Sequence, residues 1–278
     1  MIDSATPTHA ATPPGLTPLA TLRTPEGQAR ARDIALVATD VDGTLTHRGR
    51  LGPPVLEAID RLTRAGIEVW PVSGRPTGEV LGLCRYLPGI RRGLAENGLL
   101  VVVPDQAPRW LDRPTDRGRL RRVGEILNAE HDARLRVTGD DFCRLGDVAY
   151  EREGRPEAEV LRLRAAAEAH GVHLVWSNVH IHLAEAIPDK GAAVLRLAAE
   201  LGILGGSIAT VGDAPNDAGL FVAGRFGLTV GTADVIDQAS HFPQLPELVT
   251  AAREFTGFLE LAEALLAARA GSADRAST

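Results

Sequence analysis

The sequence predicts an α/β fold in which a parallel sheet is interrupted by an inserted α+β domain. A buried strand at 34–39, a helix at 53–65 and a second strand at 67–72 form a βαβ unit. Such a unit implies parallel pairing with a right-handed crossover. The same alternation resumes at Pro188. Between about 98 and 186 the pattern changes to short strands and two helices, which is typical of a separate α+β unit.

The elements before the insert follow from the spacing of apolar residues. Ile34 to Thr39 is a run of apolar or small residues, as expected of a strand that is buried on both faces. The helix of 53–65 has apolar residues at helical spacing and is followed by Gly66, a common C-terminal stop. Leu94 to Val103 indicates a further strand, interrupted by a turn or hinge at 96–98.

The insert and the second half of the core contain shorter elements. In the insert, the sequence predicts strands at 134–138, 172–176 and 179–184, a tight hairpin at Ser177-Asn178, and helices at 116–129 and 155–170. After the insert, it predicts a helix at 190–201 capped by Asp189, strands at 205–211 and 225–230, and a closing amphipathic helix at 255–268.

The two chain ends are predicted to be disordered, and the remainder divides into two domains. Residues 1–32 are rich in Ala, Thr and Pro and lack the apolar segment of a secretory signal, and 270–278 are similar. The predicted core domain comprises 33–97 and 187–269. The predicted insert domain comprises 98–186, a length within the usual range for a domain.

Composition and charge disfavour several classes of protein. The chain has 278 residues, 44% of them hydrophobic, and a formal net charge of −6, which argues against nucleic acid as the main partner. No apolar run reaches the length of a membrane span, so no membrane is expected as a partner. Cys84 and Cys143 have no spacing that indicates zinc or a disulfide framework, and a reducing cytoplasm is therefore the expected compartment.

Polar side chains occur at four places around the predicted sheet edge. They are Asp40 with Asp42, Ser73, Lys190, and Asp213 with Asn216 and Asp217. An Asp-Gly turn alone would be the simpler interpretation of the first pair. However, the carboxyl ends of parallel strands meet at one edge, where open α/β sheets bind their ligands, so the four sets predict one shared site. Two acids there can divide a reaction, since one attacks while the other moves a proton.

The same residues carry a resemblance to a known family. Asp-Val-Asp-Gly-Thr-Leu at 40–45, Ser-Gly-Arg at 73–75, Asp-Lys-Gly at 189–191 and Gly-Asp-x-x-Asn-Asp at 212–217 resemble, in order, the four signature segments of the haloacid dehalogenase (HAD) superfamily of phosphohydrolases. The likeness covers nearly all of 34–269. It implies a Rossmann-like core with a C2-type cap, of the C2B subtype, between the second and third segments. That placement resembles the Cof-like, sucrose-phosphatase-like and archaeal phosphoglycolate-phosphatase-like branches.

The resemblance implies a role for each motif residue. Asp40 would be the nucleophile that forms an aspartyl-phosphate, and Asp42 would be the acid that serves the leaving group and then the base that serves water. Lys190 would complete the catalytic set. Phosphate binding would fall to Asp42, Gly43, Ser73, Gly74, Lys190 and Asn216, and Mg²⁺ binding to Asp40, Asp42 (through its carbonyl), Asp213 and Asp217.

This chemistry needs positive charge at the site. A carboxylate that attacks a phosphate dianion meets a repulsion of about 8 kcal/mol at about 4 Å, with an effective dielectric constant near 20. Hard carboxylate oxygens suit Mg²⁺, which bridges readily to a substrate phosphate. Lys190 adds a second positive charge.

The sequence therefore predicts a Mg²⁺-dependent phosphomonoesterase, a monomer or a homodimer, that acts on a small phosphorylated metabolite. Sugar phosphates, phosphoglycolate and related phospho-acids are the candidate substrates, because a large cap disfavours phosphoproteins. A phosphoglycolate phosphatase specifically is one alternative. A phosphohexomutase of the phosphomannomutase type is another, although Ser-Gly-Arg at 73–75 resembles the phosphatase branches. A non-catalytic binding module is the third, and it would have no use for Asp42.

Other polar residues keep open assignments. Arg75 and Asn97 lie near the predicted edge, where substrate contact and a capping or hinge role are both possible readings. His180 and His182 share one face of a predicted strand. Since no acidic ligand stands at matching spacing, packing or substrate contact is favoured over metal binding for both.

Overall fold

The computed structural model describes residues 16–177 and 179–276. Its strands are β1 (Thr17–Pro18), β2 (Leu36–Thr39), β3 (Thr46–His47), β4 (Arg50–Leu51), β5 (Glu68–Pro71), β6 (Gly93–Ala95), β7 (Leu100–Val102), β8 (Arg109–Trp110), β9 (Val148–Glu151), β10 (His173–Trp176), β11 (His180–Ala184), β12 (Ile208–Gly212), β13 (Leu228–Gly231) and β14 (Leu248–Val249). Its α-helices are α1 (Pro25–Arg32), α2 (Pro53–Arg64), α3 (Thr77–Tyr86), α4 (Arg117–His131), α5 (Glu157–Ala169), α6 (Lys190–Glu200), α7 (Asp234–Asp237) and α8 (Glu254–Ala276).

A six-stranded parallel sheet forms the centre of the core domain, as predicted. Its strand order is β1-β14-β13-β12-β2-β5. In the central register, Thr39 pairs with Val211 on one side and with Pro71 on the other. The carboxyl ends of β12, β2 and β5 therefore lie side by side, and the segments that follow these strands meet at one edge of the sheet.

Each face of the sheet is covered by its own hydrophobic cluster. In β2, Val37 packs with α2, α3 and α8 on one face, whereas Leu36 and Ala38 pack with α6 on the other. This alternation follows from the two-residue period of side chains along a strand. Because both faces are covered, β2 is fully buried. This burial explains why its sequence is a continuous run of apolar or small residues.

The insert domain has a separate core. A three-stranded antiparallel sheet of order β10-β11-β9 packs against α4 and α5. The cluster that holds it together runs from Leu120 to Leu183. The α+β pattern that the sequence predicts for the insert is therefore observed.

The predicted start of the insert at residue 98 is wrong. Strands β7 and β8 extend from β6 as an antiparallel sheet, and Val101 and Leu111 pack in the cluster that contains Leu36. The turn at 96–98 is a tight hairpin turn within the core, in which Glu96 and Asn97 both have positive φ angles. We therefore assign residues 112–186 to the insert domain.

Three further elements differ from the predictions. The strand predicted at 134–138 is reduced to a single bridge between Val137 and Tyr150. Its place in the sheet is taken by β9, which the sequence did not reveal. The helix α3, directly after Ser-Gly-Arg, was also missed, because Gly and Pro around its start resemble a loop.

Both chain ends are more ordered than predicted. Within the predicted leader, β1 pairs with β14, and Leu19, Leu22 and Ala31 are buried, so the disorder prediction is wrong for 16–32. Helix α8 continues to Ala276, so the same prediction is wrong for 270–276. Residues 1–15 and 277–278, and Asn178 of the predicted hairpin, lie outside the described residues. No helix within the described ranges combines the length and the apolar content needed to cross a bilayer.

Candidate active site

The strand ends bring the predicted acids together. Asp40 directly follows β2, and its N–H donates to the carbonyl of Val211 in β12 at 2.9 Å. Asp213 directly follows β12, and Ser73 lies two residues beyond the end of β5. All three side chains are buried at the edge of the sheet where the sequence predicts a site.

Lys190 joins two of the acids. Its Nζ lies 2.6 Å from Oδ1 of Asp40 and 2.6 Å from Oδ1 of Asp217, and its side chain has no exposed surface. Helix α6 presents it from the first turn, because Asp189 caps the helix by accepting from the amide of Ala192 at 2.9 Å. Lys190 is also the single lysine among the chain's 30 basic residues, the others being arginine. A single compact ammonium can donate to both carboxylates at once.

The acids outnumber this cation. Asp40, Asp213 and Asp217 each offer an oxygen within 4.8 Å of the others, and all three are buried. Burial raises the pKa of Asp40 to about 7, and the neighbouring carboxylates add to the rise although Lys190 opposes it. Burial and the charge of Asp40 also raise the pKa of Asp213. The cluster is therefore short of positive charge, and its hard oxygen donors fit Mg²⁺.

Local contacts hold these acids in place. Thr44 Oγ1 donates to Asp213 Oδ1 at 2.9 Å, and Asp217 Oδ2 accepts from the amides of Asp213 and Ala214 at 3.0 and 3.2 Å. Gly43 has a φ of +83°, and a Cβ there would lie 2.4 Å from Asp213 Oδ2, so only glycine fits this turn. The amide of Gly43, predicted to bind phosphate, here donates to Thr46 Oγ1 at 3.2 Å.

Asp42 is held by an arginine and makes no bond to Lys190 among the described residues. Arg75 binds both oxygens of Asp42, with Nε at 2.7 Å and Nη2 at 2.6 Å, and its Nη1 reaches Glu79 at 2.5 Å. These two carboxylates raise the pKa of Arg75. The sequence analysis left two roles open for Arg75, a substrate contact and a capping or hinge role. In this structure it orients Asp42, and Glu79 was not foreseen.

Of the predicted phosphate-binding residues, four line one cleft: Asp42, Ser73, Gly74 and Asn216. Ser73 Oγ accepts from the amide of Arg75 at 3.1 Å, and the Ser73 carbonyl accepts from the amide of Asn97 at 2.8 Å. Gly74 is packed against the Asn97 side chain, so a Cβ at Gly74 would lie 3.1 Å from Asn97 Oδ1. Asn216 lines the cleft, and its Oδ1 is buried without a partner among the described residues.

The cleft has two walls. It encloses about 160 Å³. Residues of the core line one side, which we call the core wall. The opposite side, which we call the insert wall, is lined by Asp140, Ser177, Val179, His180 and His182. The two histidines therefore face the site, as a substrate contact requires.

A buried ionic network stands behind the insert wall. Arg144 has no exposed side-chain surface, and it binds Asp147 Oδ1 at 3.0 Å and Asp140 Oδ2 at 2.9 Å. Its Nη1 also donates to the carbonyl of Gly74 in the core domain at 2.9 Å. Asp147 Oδ2 in turn lies 2.7 Å from Nδ1 of His182. No sequence motif pointed to this network, because its members are joined only by the tertiary fold.

Glu96 ties the two domains together. This fully buried carboxylate accepts hydrogen bonds from the core at the amide and hydroxyl of Thr77, at 3.2 and 2.6 Å. It also accepts from the insert at the amides of Leu145, Gly146 and Asp147, at 2.9, 2.5 and 3.0 Å. The segment that carries Arg144 and Asp147 is thereby fixed to the core beside the site.

Comparison with known proteins gives no match to a protein-family model. Curated relatives do match. The phosphoglycolate phosphatase of Methanoculleus marisnigri is 32% identical over 208 residues, which cover 73% of this chain and 86% of the relative. The phosphoglycolate phosphatase of Pyrobaculum neutrophilum is 33% identical over 207 residues, which cover 71% of this chain and 83% of the relative.

A solved structure matches the fold. A haloacid dehalogenase-like hydrolase from B. subtilis superimposes with a TM-score of 0.62 and 19% sequence identity. The match covers 83% of this chain and 99% of that structure. The two chains therefore share both the parallel core and most of the elements around it.

Proposed function

Because the chain belongs to the haloacid dehalogenase superfamily of phosphatases, we propose that it is a Mg²⁺-dependent phosphomonoesterase for a small metabolite, with an aspartyl-phosphate formed on Asp40. One observation supports this most directly. Asp40, Lys190, Asp217 and Asp213 converge at one buried sheet edge, with the ammonium 2.6 Å from two of the carboxylates. A structural role alone does not explain three buried acids and one base at the mouth of a cleft.

The acidic cluster would hold the metal. Asp40, Asp213 and Asp217 offer the oxygens, and burial together with the neighbouring carboxylates raises the pKa of Asp40 and of Asp213, which a bound cation would offset. Bound Mg²⁺ would neutralise charge on the transferring phosphoryl group.

The side chains divide the reaction in two steps. In the first, an Asp40 oxygen forms a bond to phosphorus while the bond to the ester oxygen breaks, and Asp42 gives its proton to the leaving alkoxide. In the second, Asp42 takes a proton from water, which attacks phosphorus and releases Asp40 and inorganic phosphate. Lys190 orients Asp40, and Arg75 orients Asp42 through two hydrogen bonds.

Phosphoglycolate is the first substrate to test. The relatives named above are phosphoglycolate phosphatases, and a cleft of about 160 Å³ suits an ester with few atoms beyond its phosphate. Other phospho-acids and sugar phosphates are the comparison substrates.

The test is phosphate release from phosphoglycolate, other phospho-acids and hexose phosphates, each with Mg²⁺ and with a chelator. We expect turnover with Mg²⁺, greatest for phosphoglycolate, and none above background with the chelator. Hydrolysis that is unaffected by the chelator would contradict the metal dependence. If none of these esters is hydrolysed, the proposed function as a whole is contradicted.

A further inference from the structure

The insert wall presents one histidine in a built setting. The side chain of His182 is 4% exposed, and its ring lines the cleft. Its Nδ1 lies 2.7 Å from Asp147 Oδ2. Because an ionised carboxylate only accepts, Nδ1 carries the hydrogen, and Nε2 remains for a ligand. Within the described ranges, Nε2 has no hydrogen bond to the protein.

Asp147 is itself fixed. It is buried, and Arg144 binds it while also binding Asp140 and the carbonyl of Gly74. Glu96 holds the amide of Asp147 at 3.0 Å. His182 is therefore set at a fixed position relative to Gly74, which follows the phosphate-binding Ser73.

A carboxylate ligand would complete the hydrogen bonding of the His182 ring. Nδ1 donates to Asp147, and a carboxylate at Nε2 would give the ring a second acceptor, so that each ring nitrogen would donate to one carboxylate. The neighbouring His180 differs, because its nearest carboxylate, Glu151, is 3.9 Å away, and burial, with His182 and Arg144, lowers its pKa.

The position of Asp40 on the core wall indicates which part of a substrate would contact His182. In the proposed reaction the phosphate would lie against Asp40 on the core wall, and the alcohol part of a small ester would face the insert-wall residues that line the same cleft. The arginine that lines the cleft, Arg75, is already bound to Asp42 and Glu79.

We propose that His182, oriented by Asp147, is the specificity-determining residue for the leaving group, and that its Nε2–H donates to a carboxylate on the alcohol part of the ester. This inference rests on the proposed phosphatase function and deepens it, because it names phosphate esters of small hydroxy acids as the substrate class.

The experiment compares two esters of closely similar size with the full-length enzyme and Mg²⁺. Phosphoglycolate carries the carboxylate, and 2-hydroxyethyl phosphate carries a neutral hydroxymethyl group in its place. In His182→Gln, we expect kcat/KM for phosphoglycolate to fall about 10- to 100-fold, as for loss of a charge-assisted hydrogen bond. We expect kcat/KM for 2-hydroxyethyl phosphate to stay within about threefold of the wild-type value. The control is His170→Gln on the exposed end of the insert, which should keep both values.

Asp147 acts as a positioning residue and has its own readout. Asp147→Asn should raise KM for phosphoglycolate while kcat changes little, because the phosphoryl transfer at Asp40 is untouched. Since this variant also removes a partner of Arg144, inhibition of His182→Gln by free glycolate gives a second measurement. We expect weaker inhibition by glycolate than in the wild type and unchanged inhibition by inorganic phosphate.

The outcomes separate this inference from the proposed function. Equal losses for both esters in His182→Gln, or unchanged inhibition by glycolate, would overturn the inference and leave the phosphatase function standing. A wild-type enzyme that hydrolyses neither these esters nor any other would overturn both.

Discussion

The core wall and the insert wall of the cleft are both rich in buried charge, but they pair it differently. On the core wall, one ammonium serves the three clustered carboxylates of Asp40, Asp213 and Asp217. On the insert wall, Arg144 binds both Asp140 and Asp147, and Asp147 also bonds to Nδ1 of His182. The first arrangement is suited to a cation and a reacting anion, whereas the second is suited to holding one geometry.

The direction of each pKa shift shows the same contrast. Burial is the largest cause of the raised pKa of Asp40 and of Asp213, and neighbouring carboxylates add to the rise while Lys190 opposes it. Burial alone would also raise the pKa of Asp147, but His182 and Arg144 outweigh it and lower the pKa. Equal burial thus gives opposite results, and the neighbours decide the sign.

The largest expected effect is on the core wall. Asp40→Asn should reduce phosphate release about 10⁴-fold or more, because an amide does not replace the attacking carboxylate. The fold should persist, since the change removes one of three crowded acids. Phosphate release and a urea unfolding curve would measure the two quantities. Retention of wild-type turnover would show that Asp40 is not the nucleophile.

Removal of the core-wall ammonium should cost stability. Lys190→Met keeps the length of the side chain but leaves Asp40 and Asp217 without their shared cation. We expect a loss of about 3–5 kcal/mol in the free energy of unfolding without Mg²⁺, as for breaking a buried ion pair. Lys190→Arg is the matched control: it keeps the charge, and stability should fall less. An unchanged urea midpoint for Lys190→Met would contradict the charge imbalance.

Mg²⁺ should stabilise the core wall specifically. A ligand that binds only the folded state at 100 times its Kd adds about 2.7 kcal/mol, so the Tm should rise with Mg²⁺ concentration. Asp213→Asn should abolish most of that rise, and Asp147→Asn on the insert wall should keep it. Equal thermal shifts in both variants would contradict a metal site on the core wall.

The sequence foretold the core wall far better than the insert wall, for a physical reason. Asp40, Ser73 and Asp213 follow apolar strands, and parallel pairing then forces them together, so a local pattern was enough. On the insert side, Glu96 accepts hydrogen bonds from backbone amides about 50 residues away. Because every residue except proline has such an amide, no sequence pattern marks these partners. Composition also marks the predicted Lys190, which is the single lysine of an arginine-rich chain.

The prediction of disorder at the chain ends was wrong for a different reason. Composition made 16–32 resemble a disordered leader, yet Leu19 and Leu22 are buried against the core and β1 adds a strand to the edge of the sheet. A few apolar residues in a polar, Ala-rich segment suffice when an existing surface receives them. Propensity alone does not show that surface.

Replacement of one oxygen atom of Glu96, which joins the core to the insert, should lower the stability of the protein. Glu96→Gln replaces one acceptor oxygen by a donor that faces the amides of the insert or the hydroxyl of Thr77. We expect a loss of about 1–3 kcal/mol in unfolding free energy, the cost of leaving buried donors unpaired. Glu130→Gln, at an exposed site on α4, is the control and should change little. A difference between the two variants below about 0.5 kcal/mol would show that Glu96 does not fix the insert.

The pH dependence of stability should have opposite signs on the two walls. Without metal, the folded protein holds the Asp40 proton up to a pH of about 7, against an ordinary pKa of 3.8, so ionisation of Asp40 disfavours folding. Its contribution to stability should therefore decline as pH rises from about 4 to about 7, with a slope of at most about 1.4 kcal/mol per pH unit. Asp147 has a lowered pKa, so its contribution is complete above 3.8 and is lost only as pH falls below that value. Urea unfolding in chelator from pH 3 to 8 would measure both, because Asp40→Asn should flatten the upper range and Asp147→Asn the lower. A wild-type slope in the upper range that Asp40→Asn leaves intact would place the unbalanced charge elsewhere.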